Sequence, residues 1–540
     1  MTKQRILFSV ILILLGISSE SAELQFGKVF ASGMILQRGK PVPVWGTGTP
    51  GTEVQVTFKN QSVSGKVDSD GRWLLRLKPL ADDGESAELS VHSGNDKKIL
   101  RDVIVGEVWV CFGQSHIEMS LRGKIGELKG YDRKVISPET QKQLLEELEA
   151  IPRLTSADSQ FRYCRVWLDS TISWFSLSPQ TVLNWSIMGL ELGLKLRREL
   201  QVPIGIINMA RGCSSLESWL PEDAFTLPCL ADEKKEIEPF RKFFRAYSEK
   251  KLSPQEISDG FTAYCKNPKR RQQSHLKNGE AEPKSYSWLW QHMRVVSPTG
   301  NYDNALRHFI PFAVRGLIWW QGETNYYDEP MAYDQKLAVL VRSCRQRWEE
   351  PELPFVTILQ GQRKQYLEYV DSFRTQQFQA ADRLSDFWLV NNLETPSTEV
   401  HMIHPVHEKM RVGKDTAELL LSRFYGRPQL GSGPLLEMAE FRDGEAVFSF
   451  RHGRGLTTRN GCSPQGFELA GEDRKFHPAQ AEIVDDKVIA VSSHVPEPRY
   501  GRFLWNSLAT PELVNENDLA AFPFNTTLPV FQKNNSINSK

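Results

Sequence analysis

The rhythm of apolar and polar positions changes twice along this chain. From Leu24 to about Leu100 the apolar runs are short. Val42–Trp45, Glu53–Phe58 and Trp73–Leu77 are separated by the turn signals Gly46-Thr47-Gly48, Pro50-Gly51, Asp70-Gly71 and Asp83-Gly84. Short strands at this spacing predict a small β-sandwich. From Val103 onward, runs of strand character alternate with helical periodicity. Val103–Cys111 reads as a buried strand, Ile187–Leu200 as an amphipathic helix, and Pro203–Ile207 as a second buried strand. Ala313–Trp320, Phe355–Leu359 and Phe387–Val390 continue the strand series. Met331–Trp348, Arg374–Leu384 and Glu408–Phe424 supply the helices between and after them. Alternation of this kind predicts an α/β core with a parallel sheet covered by helices. From Gly426 to about Phe524 the pattern is β-like again.

Two long polar stretches, Arg122–Ser159 and Asp232–Ser287, interrupt the alternating region and read as insertions. The expected organisation is therefore a β-sandwich over 23–102, an α/β domain over 103–425, a β-rich domain over 426–527 and a loose tail over 528–540. Residues 1–22 have the form of a secretory leader. Lys3 and Arg5 precede the apolar run Ile6–Ile17, and Ser19, Ser21 and Ala22 offer small residues for cleavage. A secreted or periplasmic location follows as an expectation, with no membrane association after cleavage.

Charge alters the picture by exclusion. Lysine plus arginine equals aspartate plus glutamate at 66 each, so no bulk attraction to nucleic acid or anionic membrane is expected. The 7 cysteines are scattered, without a C-x-x-C pair, which argues against structural zinc. Asp68–Trp73 lacks the later ligands of a calcium loop and reads as a hairpin turn.

Candidate chemistry gathers where the predicted strands end. The first core strand stops at Phe112-Gly113-Gln114, and Ser115 follows at the start of a short apolar segment. In open α/β sheets, ligands bind outside the carboxyl ends of the strands, and backbone N–H groups there can hold an oxyanion. Ala313–Trp320 runs directly into Gln321-Gly322-Glu323-Thr324-Asn325, and His404 stands before a proline-started helix. A serine hydroxyl needs a base to attack at neutral pH, and histidine suits that role. Against this, His308, His401 and His407 rival His404, and Glu323 is equally readable as an ion-pair partner for Arg315 or Lys336. Trp319-Trp320 reads as packing or as a sugar platform.

The segments Gly113–Met119 (GQSHIEM), Gly316–Asn325 (GLIWWQGETN) and Ile403-His404-Pro405 resemble those of the sialate O-acetylesterases, within the SGNH-type carbohydrate esterases. Met34–Arg38, Pro41–Trp45, Val105–Trp109, Pro203–Gly205, Arg499–Gly501 and Leu519–Phe524 extend the likeness over most of the chain. The resemblance implies a flavodoxin-like three-layer core with β-sandwich-like appendages, and hydrolysis of O-acetyl esters on sugars without metal or organic cofactor. It further implies Ser115 as nucleophile and His404 as base; Glu323, in the carboxylate position of QGE, is the candidate orienting acid, with a triad lacking a tight third member as the alternative. The oxyanion would be held by the N–H groups of Ser115 and Gly212 with the side chain of Gln321. Asn325, Trp320 and Arg211 are the candidate substrate-binding residues, Arg211 toward an anionic sugar.

The chain departs from the family pattern in several places. His116 stands for the usual Asn, Arg211-Gly212-Cys213-Ser214-Ser215 stands for Trp-Gly-Gly-Thr-Pro, and Met402 and Asn392 stand where aspartates are expected, while Glu217 and Trp219 are kept. Two rival readings therefore stand beside the first. One is a non-catalytic carbohydrate-binding protein on a degenerate esterase fold. The other is an acetylesterase acting on xylan or another polysaccharide.

Overall fold

The computed structural model describes residues 23–532, apart from 131–134, 167–171, 250, 254, 257–258, 260–294, 327–331, 365–366, 396–398, 401 and 428–430. The leader, Cys265, His401 and most of the second polar stretch lie outside the described residues. The N-terminal part contains β1 (Gln25–Phe26), β2 (Ile35–Gln37), β3 (Val42–Thr47), β4 (Glu53–Phe58), β5 (Gln61–Lys66), β6 (Arg72–Leu77) and β7 (Ala87–Ser93). Strands β1, β3 and β6 form one antiparallel sheet. In β4, Val54, Val56 and Phe58 are buried while Glu53 and Gln55 are exposed, as expected for a strand with one face on a core.

The strand that carries the molecule is β8 (Asp96–Gly113). Its first half pairs with β7, and its second half is the centre of the α/β sheet, so it runs unbroken across the expected boundary at residues 102–103. Every position from Val103 to Gly113 is buried, because both faces are covered. Val108, Val110 and Phe112 enter one apolar core, and Trp109 and Cys111 enter the other.

The remaining core strands are β9 (Asp158–Val166), β10 (Ile172–Leu177), β11 (Ile204–Asn208), β12 (Gly316–Trp320), β13 (Phe355–Ile358) and β14 (Phe387–Val390). They lie in the order β10-β9-β11-β8-β12-β13-β14. All neighbours are parallel except the edge strand β10, which is antiparallel to β9. The chain leaves β8 toward β9 and β11 on one side and returns to β12 on the other. The order therefore reverses between β8 and β12, and a crevice opens at such a point outside the carboxyl ends of the strands. The pairs β9 and β10 were not foreseen, and β9 begins inside the stretch expected to be an insertion.

Helices cover both faces. On one side lie α1 (Ser115–Glu118), α2 (Leu121–Lys129), α3 (Pro138–Leu154), α4 (Ile187–Leu200) and the helix Val406–Phe424, which feed one apolar cluster. On the other side lie the helices Tyr333–Trp348 and Leu367–Arg383. The α4 helix starts where the periodicity starts, with the Ser186 hydroxyl accepting the Gly189 N–H, and stops at Gln201 in a left-handed conformation. Gly413 lets the Val406–Phe424 helix lie against α4, since a Cβ there would stand 2.5 Å from the Met188 carbonyl oxygen. Beyond residue 430 the chain forms two four-stranded antiparallel sheets, with Phe448, Phe467, Phe503 and Phe524 packed between them. No described helix is long and apolar enough to cross a membrane.

Candidate active site

Two glycines shape the Ser115 turn. Gly113 ends β8 with φ near +122°, and a Cβ there would stand 2.3 Å from the Trp320 carbonyl oxygen at the end of β12. Only glycine permits both the conformation and the approach. Gln114 then ties the turn to the β12 end. Its N–H donates to Trp320 O at 3.0 Å, its Oε1 accepts from Gly322 N at 3.0 Å, and its Nε2 donates to Glu323. Ser115 is the first residue of α1 and is partly exposed, while its neighbours Gln114 and His116 are buried.

His116 sits in a dense polar cluster beneath the turn. Its Nε2 is hydrogen-bonded to Glu323 Oε1, its Nδ1 lies 2.9 Å from Lys409 Nζ, and its ring stacks on Trp320 at 4.8 Å. The Lys409 ammonium can only donate, so Nδ1 is the acceptor and the ring proton is on Nε2, directed at the Glu323 carboxylate. Burial lowers the His116 pKa, and Lys409 adds to this against the opposing charge of Glu323. Burial opposes ionisation of Glu323, yet His116, a backbone amide and Arg363 together leave its pKa below the ordinary value. Lys409 is fully buried over the face of Trp320, with Nζ 4.9 Å from the ring centroid, and desolvation lowers its pKa to about 8. Glu408 completes the cluster through Arg363, Lys409 and Asn392, and its carboxyl is held well below the usual range despite burial.

His404 precedes the helix Val406–Phe424 and faces the same cluster. Its ring centroid is 5.3 Å from that of His116, the residue after Ser115. It is 8% exposed, and its Nδ1 is buried without a hydrogen-bond partner. Burial lowers its pKa well below 6.5, reinforced by Lys409, His116, Lys124 and Arg363. The hydrogen bonds of Glu323 go to Gln114, His116 and Gln360, so the carboxylate expected to orient His404 is held by His116. Glu323 pairs with neither Arg315 nor Lys336. Lys336 pairs with Glu217, and Arg315 donates to Phe424 O.

Gly212 comes to the turn from β11. An added Cβ would lie 3.6 Å from Ser115 Cβ and 3.0 Å from Glu118 Oε2, and the Gly212 N–H donates to Glu118 Oε2 at 2.6 Å. Next to it, Cys213 has φ near +61°, the left-handed region that glycine tolerates best. This explains why the family pattern has a second glycine at that position. The Cys213 thiol is pushed up to about 11 by burial and by Glu118, which makes it a poor nucleophile.

The other predicted residues lie underneath. Gln321 is fully buried, donating to Ser214 O at 3.1 Å and Asn325 Oδ1 at 2.6 Å and accepting from Tyr333 OH at 3.0 Å. Asn325 donates to Glu217 and accepts from Leu216 N. Arg211, 6% exposed, spends its guanidinium on the carbonyls of Ala210 and Val166. Trp320 is fully buried, with the mutually bonded His116 and Lys409 packed against its ring. These four pack beneath the strand ends. The sequence reading passed over Gln114, Glu118, Gln360, Glu408 and Lys409. Only His116 was marked, as a departure from the family pattern.

Among the described residues no group of three or more His, Cys, Asp or Glu is placed to hold a metal ion. All six cysteines in the described part are unpaired.

Residues 285–422 match the family described as "Carbohydrate esterase, sialic acid-specific acetylesterase". The chain is 25% identical over 342 residues to the sialate O-acetylesterase of Mus musculus, covering 59% of this chain and 56% of that protein. It is 23% identical over 358 residues to the Homo sapiens sialate O-acetylesterase, covering 62% and 55%. The match thus spans a little over half the length of these relatives. A crystal structure of a carbohydrate acetylesterase from Xanthomonas citri superposes with a TM-score of 0.68 at 25% identity, covering 93% of this chain and 99% of that one. The resemblance to carbohydrate acetylesterases is found in sequence and in fold alike.

Proposed function

We propose that this chain is a serine esterase that hydrolyses O-acetyl esters on carbohydrate through an acetyl-enzyme. The observation that supports the reading is that His404 is brought against the turn that carries Ser115, its ring centroid 5.3 Å from that of His116. Ser115 and His404 are almost three hundred positions apart in sequence, yet the His404 ring packs on the residue next to the serine. The order β11-β8-β12-β13-β14 also supports a flavodoxin-like core of the SGNH kind.

In this mechanism His404 takes the Ser115 proton as Oγ attacks the acetyl carbon. The N–H groups of Ser115 and Gly212 hold the tetrahedral oxyanion. His404 returns the proton to the departing sugar oxygen, leaving acetyl-Ser115. Water deprotonated by His404 then attacks the acetyl carbonyl, and collapse regenerates the serine and releases acetate. Burial and the nearby cations keep the His404 imidazole neutral, at a cost in its strength as a base. Glu323 acts on the site through His116 and the Gln114 turn, and the serine and His404 work as a pair. Gln321, Asn325, Arg211 and Trp320 position the strand ends beneath them.

The leader-like residues 1–22 support export to the periplasm or outside the cell. The sugar is tested by an acetate-release screen over O-acetylated sialic acid, acetylxylan and simple sugar acetates. Release abolished by Ser115→Ala supports the reading, and the preferred sugar names the substrate. Binding of acetylated glycan without release supports the carbohydrate-binding alternative.

A further inference from the structure

The hydrogen bond from Gly212 to Glu118 has a consequence for the same site, and the inference rests on the esterase reading above. Gly212 N–H is the second donor assigned to the oxyanion, and it already faces an acceptor. Glu118 follows Ser115 by three residues, so both project from one face of the short α1 turn. Its Oε2 is 2.6 Å from Gly212 N, and the Gly212 Cβ direction points at both Glu118 Oε2 and Ser115 Cβ. A carboxylate oxygen therefore occupies the donor that a substrate oxyanion would need. An anion beside a developing oxyanion also raises the barrier by repulsion, most of all in a water-poor site.

Glu118 is not needed to hold the loop. Met209 N donates to Cys111 O, Arg211 N to Gly113 O, Ser214 Oγ to Gly113 O and Gln321 Nε2 to Ser214 O. Ala210 N is capped by Asn208. The loop is thus fixed on both sides of Gly212 by contacts that do not involve Glu118. Glu118 itself is only partly buried, so its side chain has solvent to turn into.

We propose that Glu118 is a gate on the oxyanion site: its carboxylate caps the Gly212 amide at rest and swings out when an ester carbonyl enters. The device also disfavours free acetate, because the product is an anion that must displace another anion from the same donor. Neutral esters enter without that repulsion.

The experiment compares wild type, Glu118→Ala and Glu118→Gln. It measures the second-order rate of Ser115 labelling by an alkyl fluorophosphonate, kcat/KM for p-nitrophenyl acetate, and inhibition by acetate. The gate predicts labelling and kcat/KM faster by about tenfold in Glu118→Ala, equivalent to about 1.4 kcal/mol, and tighter inhibition by acetate. Glu118→Gln keeps the size but loses the charge, and is expected between the two; it carries the test if the alanine variant does not fold. The gate is overturned if wild type is labelled at Ser115 but neither variant is labelled faster, or if acetate inhibition is unchanged. If no protein is labelled at Ser115, the esterase reading itself falls and takes the gate with it.

Discussion

Lys409 Nζ lies 2.9 Å from Nδ1 of His116, with both groups buried directly beneath the Ser115 turn. The contact fixes the proton on the far ring nitrogen and aims it at Glu323. It also sets a cation close to His404, whose pKa is depressed first by burial and then by Lys409. One buried lysine thus holds the residue next to Ser115 and adds to the burial that keeps the His404 imidazole neutral.

Lys409→Met removes that cation while keeping much of the volume. The His404 pKa then rises, and a base that must be neutral is lost at higher pH. The acid limb of kcat/KM against pH is expected to move to higher pH. The unpaired His116 Nδ1 should also cost about 1–3 kcal/mol of stability. A pH profile that stays in place would remove Lys409 from this role, whatever the change in melting temperature.

Cys213 tests the shape of the Gly212 loop. At φ near +61°, Cys213→Gly should fold at least as well as wild type. Cys213→Val, with a β-branched side chain in the left-handed region, should be less stable than the glycine variant by about 1–2 kcal/mol. Denaturant unfolding of the two variants decides this, and equal stability would contradict the backbone conformation.

Stability should fall in mild acid. His404 and His116 both have folded-state pKa values below the ordinary 6.5. Between the folded value and 6.5 the unfolded chain binds more protons, so unfolding is favoured as pH drops. Their contribution is fully present above about pH 6.5 and is lost as pH falls below it, before carboxylates such as Glu408 titrate. Melting temperature against pH should show this fall, and His404→Gln should flatten it. A wild-type curve level from neutrality down to the carboxylate range would contradict the buried neutral imidazoles.

Much of the frame was legible in residue patterns. Ile187–Leu200 and Phe387–Val390 coincide with observed elements, and Val103–Cys111 is the buried half of a strand that starts earlier, at Asp96. The Gly113-Gln114-Ser115 turn was legible because a glycine there answers a steric need that the structure puts at 2.3 Å. The strand β9 was hidden because its sequence, DSQFRYCRV, mixes charges with apolar residues, and Arg162 is buried only by donating to Asp102 and Ser159. The partners of Glu323 were hidden for a different reason. A carboxylate with four histidine candidates and two cations to choose from has no preferred partner in sequence, and only the packing of β12 against β8 hands it to His116. Lys409 and Glu118 were passed over because a lysine and a glutamate on amphipathic helices ordinarily face water.

The account depends most directly on Ser115 and His404 forming one reacting pair. Acetate released from an O-acetylated sugar should be followed for wild type, Ser115→Ala and His404→Ala, and for the double variant. The account predicts that each single change lowers kcat by about a thousandfold or more, and that the double variant is scarcely worse than either, because the two groups act as a unit. Full turnover in Ser115→Ala, or independent additive losses in the double variant, would contradict it.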